Sequence, residues 1–121
     1  MALIPTLTIK DSTTFSDEIN FSVTDSLTTT APSSSLSTIG VTNVGANNII
    51  QPATDGQTRY VFIRHAGASG TINVELTGDV IVGKLSVGEW MFMPVGGHSL
   101  GVQLQSSTGT INAEYAYWTK G

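Results

Sequence analysis

Two histidines are the strongest candidates for chemistry in this sequence. His65 and His98, together with Glu75 or Glu89, offer the kinds of nitrogen and oxygen ligands from which metal sites with three or four ligands are built. Each histidine adjoins a glycine turn, however, so we expect both at loop edges near solvent. We therefore predict no metal site and no bound cofactor.

Nucleophiles occur mainly as hydroxyl groups. Ser and Thr together make up 30 of the 121 residues, whereas cysteine is absent. No Gly-x-Ser-x-Gly elbow occurs, and Gly67-Ala68-Ser69-Gly70 is one residue off that spacing. No catalytic residue can be assigned, and we expect that the protein is not an enzyme.

The stretch from Gly88 to His98, GEWMFMPVGGH, resembles the second motif of the cupin family. In that motif a Gly, a Pro, another Gly and a metal-binding His recur across a hairpin. Here the gap before His98 is one residue shorter, the downstream Asn is missing, and His65 does not begin the first cupin motif. The resemblance implies a hairpin in a jelly-roll-like sheet, and it leaves a degenerate cupin-like enzyme as an alternative.

Charge and hydropathy exclude two further classes of function, nucleic-acid binding and membrane association. Five basic residues against nine acidic ones cannot form the positive stripe that neutralises nucleic-acid phosphates. No apolar run reaches the roughly 18 residues that a membrane-spanning helix needs. The first residues also lack the basic and apolar regions of a signal peptide. We therefore expect neither a nucleic-acid nor a membrane partner, and synthesis in the cytoplasm of a bacterial host.

The elements that must position any site are strands. Alternating apolar and polar residues, punctuated by glycine about every ten positions, predict strands at 60–65, 72–76, 80–87, 90–95, 100–105 and 111–118, with a bulge at Gly83. No segment has helical periodicity. We predict an all-β protein in which an antiparallel meander closes into a β-sandwich or jelly-roll-like body.

The first part of the chain is different. Strand-like alternation at Leu7–Ile9 and Ile19–Val23 is separated by Ser/Thr tracts, and a further strand is expected around Ile39–Val41. We predict an extended Ser/Thr-rich N-terminal arm over residues 1–35 and a β-sandwich body over residues 36–121. The arm is expected to add its short strands to the sheets of neighbouring subunits.

The segment Trp90–Val95 is apolar at every position. A strand with two apolar faces is expected to be covered on both sides, by a second layer or by another subunit. Pro94 cannot donate a ladder hydrogen bond, so it should lie at a sheet edge or a strand end.

Three segments of the second half carry a further resemblance. These are YVFIR at 60–64, LSVGEWMFMP at 85–94 and AEYAYW at 113–118. Residues 59–118 look like small β-rich structural proteins from the virions of tailed bacteriophages, including phages of cyanobacteria. The resemblance implies a particle component: a capsid decoration (cement) protein that binds the major capsid protein, or a tail or fibre subunit.

We therefore predict a homo-oligomer, most simply a homotrimer, located in the virion and in contact with the major capsid protein or other virion subunits. A tail or fibre component with a carbohydrate- or receptor-binding β-sandwich is the alternative. The predicted subunit interface consists of apolar residues of the arm and of the strand around Trp90, namely Leu7, Ile9, Phe15, Ile19, Phe21, Val23, Trp90, Met91 and Met93.

Overall fold

A computed structural model describes residues 2–10, 20–52, 58–96 and 100–121. These residues form an all-β protein, as predicted, with one short 3₁₀ helix at Gly45–Asn47. Among them no helix is long and apolar enough to cross a membrane. The strands are β1 (Ala2–Leu3), β2 (Thr6–Lys10), β3 (Asn20–Thr24), β4 (Leu27–Ser33), β5 (Ser37–Val41), β6 (Ile49–Gln51), β7 (Arg59–His65), β8 (Ile72–Leu76), β9 (Val80–Leu85), β10 (Trp90–Val95), β11 (Val102–Ser106) and β12 (Ile111–Lys120).

Two antiparallel sheets make up the body. In the first sheet the order is β5-β12-β7-β10, and β1 and β4 extend it along the C-terminal part of β12. In the second sheet the order is β6-β11-β8-β9. Successive strands from β5 to β12 thus build two four-stranded sheets in the pairing order of a jelly roll. The predicted sandwich or jelly-roll-like body is confirmed.

The predicted meander is wrong. From β7 to β12 only β8 and β9 are both consecutive and paired, through a tight turn in which Gly78 and Asp79 have φ of 94° and 64°. The other connections in this part cross from one sheet to the other. Period-2 alternation shows which face of a strand is buried, but it is the same whichever strand is the partner.

The core lies between the two sheets. Every second side chain of a strand points into this core, which explains why apolar and polar residues alternate along the strands. The fully or nearly buried members are Val41, Ile50, Val61, Ile63, Ile72, Val74, Leu85, Val95, Val102, Leu104, Ile111 and Ala113. The β8–β9 register shifts beside Gly83, where a bulge was predicted.

Part of the predicted arm belongs to the first sheet. The strand β4 pairs with β12, and β1 pairs with β4. The sequence of β4 is rich in threonine, whose branched Cβ favours extended backbone, and Thr29 is buried. Residues 27–33 therefore extend the body's sheet, whereas β2 and β3 pair with each other and with no other strand in the described ranges.

Among the described strands, β10 ends the first sheet and pairs with β7 alone. Pro94 thus lies on an edge strand, as expected. The second sheet covers the inner face of β10, whereas Trp90 on the outer face is 53% exposed. Coverage on both faces is therefore incomplete in the single chain.

Candidate functional site

The two-stranded sheet β2–β3, called the ribbon below (6–10 and 20–24), has one entirely apolar face. Its register places Leu7 opposite Val23 and Ile9 opposite Phe21. Since side chains alternate between the two faces of a strand, these two cross-strand pairs share one side of the ribbon.

The other face of the ribbon is polar. Thr6 Oγ1 lies 2.9 Å from Thr24 Oγ1, and Thr8 Oγ1 lies 3.2 Å from Ser22 Oγ. Two rungs of paired hydroxyl groups therefore face solvent. Water solvates this side well, so the apolar side is the one that gains by being covered.

The apolar face is open in the single chain. Ile9 and Phe21 are each 47% exposed, and Val23 and Leu7 are 45% and 36% exposed. An isolated two-stranded sheet is marginally stable in water, and contiguous exposed apolar residues mark interaction surfaces. The ribbon therefore has the character of a docking element.

The structure brings together four of the nine predicted interface residues, namely Leu7, Ile9, Phe21 and Val23. Phe15 and Ile19 lie outside the described residues. Trp90 lies on the outer face of the first sheet. Met91 and Met93 pack against the core. The apolar face of the ribbon is therefore the coherent part of the predicted set.

The outer face of the first sheet is aromatic along three strands. In register across β10, β7 and β12 it presents three rows, which are Trp90-Arg64-Glu114, Phe92-Phe62-Ala116 and Pro94-Tyr60-Trp118. The Tyr60 and Phe92 rings stack, with centroids 6.0 Å apart and planes 11° apart. Arg64 Nη1 bonds to Glu114 Oε1 at 3.1 Å. Trp90 is the exposed end of this aromatic face.

The base of the ribbon lies near the aromatic face. A mainly apolar cavity of about 220 Å³ lies between Phe92 and the near end of the ribbon, and it is lined by Pro5, Leu7, Val23, Asp25, Leu27 and Phe92. The contact between the two apolar surfaces is therefore partial, and a gap remains between them.

His65 is buried rather than near solvent, so that part of the histidine prediction is wrong. It is 1% exposed, its Nδ1 accepts from the Gly67 N–H at 3.1 Å, and its Nε2 lies 3.1 Å from the Gly70 carbonyl. This pairing requires the neutral tautomer with the proton on Nε2. Both ring nitrogens thus hold the 66–70 loop. His98 lies outside the described residues.

The loop that His65 holds lines a cavity of about 330 Å³. Its walls are the residues 67–69 and 108–112, at one end of the sandwich. The polar side chains there are hydroxyls and one amide, and no ionisable side chain lines the cavity. The cavity thus offers no acid, base or charged ligand.

The two glutamates considered as metal ligands lie in separate environments. Glu75 is buried, and its Oε1 accepts from Gln103 Nε2 at 2.8 Å. That amide also donates to Asp79 Oδ1 at 3.0 Å. Glu89 is exposed and accepts from the Ser86 N–H at 2.6 Å. Within the described ranges no three His, Asp or Glu side chains are grouped so that they could hold a metal ion.

A buried asparagine that sequence reasoning missed fastens the loop above Glu75. Asn48 Nδ2 donates to the carbonyls of Leu104, Thr42 and Val44 at 2.9, 3.0 and 3.1 Å. Its Oδ1 accepts from the Thr42 N–H at 3.2 Å. Nothing in the surrounding sequence distinguishes Asn48 from its exposed neighbour Asn47.

The chain matches no family model, no curated protein and no solved structure.

Proposed function

We propose that this protein is a non-enzymatic, self-associating structural component of a bacteriophage virion, most specifically a capsid decoration (cement) protein. The observation that carries the proposal is the ribbon, whose apolar face of four residues is open in the single chain. An exposed apolar face on a small, marginal element favours a role in assembly. The virion assignment rests on the resemblance of residues 59–118 to small virion proteins.

The body is compatible with this role. Jelly rolls occur in viral capsid proteins, in lectin domains and in cupins, so the fold alone does not choose among them. The choice among these functions depends on the surfaces that the protein exposes. A decoration protein must bury surface against copies of itself and against the shell, and the ribbon supplies such surface.

The self-association is tested by removing the ribbon. The Asp25 N–H donates to the Pro5 carbonyl at 3.2 Å, so the two ends of the ribbon meet at its base. A variant in which two glycines replace residues 6–24 therefore keeps β1 and β4 in place. We expect the full chain to have three times the monomer mass by light scattering, and the variant to be a folded monomer. A full chain that is monomeric at all concentrations would contradict the proposal.

The location is tested separately. Particles are purified from the phage that encodes the chain, and their proteins are quantified by mass spectrometry. A decoration protein is expected in a fixed, high copy number relative to the major capsid protein, and addition of the purified chain should restore it to stripped heads. Its absence from purified particles would refute the virion assignment.

The second candidate function is carbohydrate or receptor binding on a tail or fibre. The observation that favours it is the exposed Trp90 ring beside the Arg64–Glu114 ion pair, because sugars pack on aromatic rings and bond to charged groups beside them. A glycan array probed with the native chain and with Trp90→Ala separates the candidates. Glycan signals that disappear with Trp90→Ala but remain with the control Ile49→Ala would favour carbohydrate binding.

The cupin-like alternative is less compatible with the geometry. His65 has both ring nitrogens engaged by the main chain of the 66–70 loop, so ligation of a metal would break one of these bonds. The described glutamates and Asp79 do not join it in a metal-binding group.

A further inference from the structure

The far end of the ribbon carries two half-exposed apolar side chains. Leu7 and Val23 line the cavity next to Phe92, which lies on β10, the last strand of the first sheet. Ile9 and Phe21 lie two residues further along, about 7 Å away. No strand of the described chain follows β10 on that side, which agrees with the 47% exposure of both residues.

The exposed end of the aromatic face lies on the same edge strand. Trp90 is two residues from Phe92 on β10, on the same side of the sheet, and 53% of it is exposed. The described structure therefore leaves two apolar surfaces exposed, one at the far end of the ribbon and one at Trp90 on the edge strand.

We propose that the ribbon of one copy packs Ile9 and Phe21 against Trp90 of a second copy. This inference rests on the self-association proposed above and identifies the surface that accepts the ribbon. If the contact is not reciprocated between the same two copies it is heterologous, and such contacts close into rings when the rotation between copies allows it, whereas reciprocal contacts give a two-fold dimer. A three-membered ring agrees with the predicted trimer.

A second copy is the occupant that the partial contact in the single chain favours. The base of the ribbon already packs beside this sheet face, where Leu7, Val23 and Phe92 share a cavity. The two surfaces are thus suited to each other chemically, and contact between copies extends an interaction that the fold already makes.

The apolar area involved is that of a small contact. The half-exposed ribbon residues and Trp90 together present roughly 400 Å² of apolar surface, taking a large aromatic side chain as about 200 Å². An interface of standard size buries about 800 Å² on each partner, of which about 57% is apolar. Over both partners such an interface contains about 900 Å² of apolar surface, so the ribbon and Trp90 supply a little under half of it, and a closed ring repeats the contact at every subunit boundary.

Cross-linking tests the contact, and the chain contains no cysteine that would interfere. A tagged Ile9→Cys chain and an untagged Trp90→Cys chain are co-expressed and treated with a short bis-maleimide. Each chain carries one thiol, so a tagged–untagged product forms only between copies. We expect this product to be at least tenfold more abundant than with the matched control Thr8→Cys, whose side chain lies on the polar face of the ribbon.

A second measurement uses no cysteine. In a Trp118→Phe chain Trp90 is the single tryptophan. Its emission should shift to shorter wavelength over the concentration range in which light scattering shows assembly, and Phe21→Thr should move that shift to higher concentration. Equal cross-linking of the Ile9→Cys and Thr8→Cys chains, or constant emission during assembly, would overturn the docking while leaving self-association intact. A monomeric full chain would overturn both.

Discussion

Replacement of Phe21 by threonine is the sharpest test of the apolar face of the ribbon. Threonine keeps the branched Cβ that suits a strand but removes the ring. Phe21 is 47% exposed and lies opposite Ile9, away from the core of the body. The substitution should therefore leave the jelly roll unchanged and weaken assembly.

The size of the effect follows from the exposed area. A phenylalanine side chain presents about 200 Å², so close to 100 Å² of Phe21 remains for burial between copies. After subtraction of the threonine methyl group, about 80 Å² is lost, or about 2 kcal/mol per contact at about 25 cal/mol per Å². Each ribbon contact should then be about 30-fold weaker.

Sedimentation equilibrium over a hundredfold range of concentration measures this change. The matched control is Ser22→Ala, which lies next to Phe21 on the polar face and should shift assembly less than threefold. An assembly midpoint for Phe21→Thr within threefold of the native chain would refute burial of the apolar face. An equal loss in both variants would show that the ribbon acts through its own folding, and not through its apolar face.

Two further predictions concern the loop above the second sheet. A Cβ on Gly45 would lie 2.7 Å from the buried amide of Gln103. Gly45→Ala should therefore lower the free energy of unfolding by about 2 kcal/mol and Tm by roughly 8 °C in thermal unfolding. In the control Gly83→Ala the nearest atom is 3.4 Å from the new Cβ, so Tm should change by less than about 2 °C. Asn48→Asp would turn a carboxylate oxygen toward three carbonyls, and it should lower the free energy of unfolding in urea by about 3 kcal/mol. A loss of stability as small as that of Asn47→Asp, at the exposed neighbour, would contradict the role assigned to Asn48.

The sequence predicts the strands of the body well and their partners poorly. The strands β8, β11 and β12 alternate visibly, because each buries one face against the other sheet. Pairing leaves no such trace, since a strand has the same pattern beside any neighbour. The strand β4 shows a different limit. Its run of threonines carries no alternation, although each threonine favours extended backbone.

Strand parity predicts the apolar face of the ribbon, whereas the predicted grouping of Trp90 with Met91 disregards that parity. The spacing of Leu7 with Ile9 and of Phe21 with Val23 placed each pair on one face of its strand, and the structure joins the two pairs. The same parity separates Trp90 from Met91 across β10. The burial of His65 has no sequence signal, because it depends on the loop that folds back over the ring.

The two candidate functions make opposite demands on Trp90. A sugar ligand needs the ring open in the assembled protein, because stacking requires direct contact with its face. Docking of the ribbon from a second copy covers the same ring. Acrylamide quenching of Trp90 fluorescence in the Trp118→Phe chain therefore separates them. A ring that is protected in the oligomer and open in the ribbon-deleted monomer supports assembly, whereas a ring that is equally open in both leaves the surface available to a ligand and argues against the ribbon as its cover.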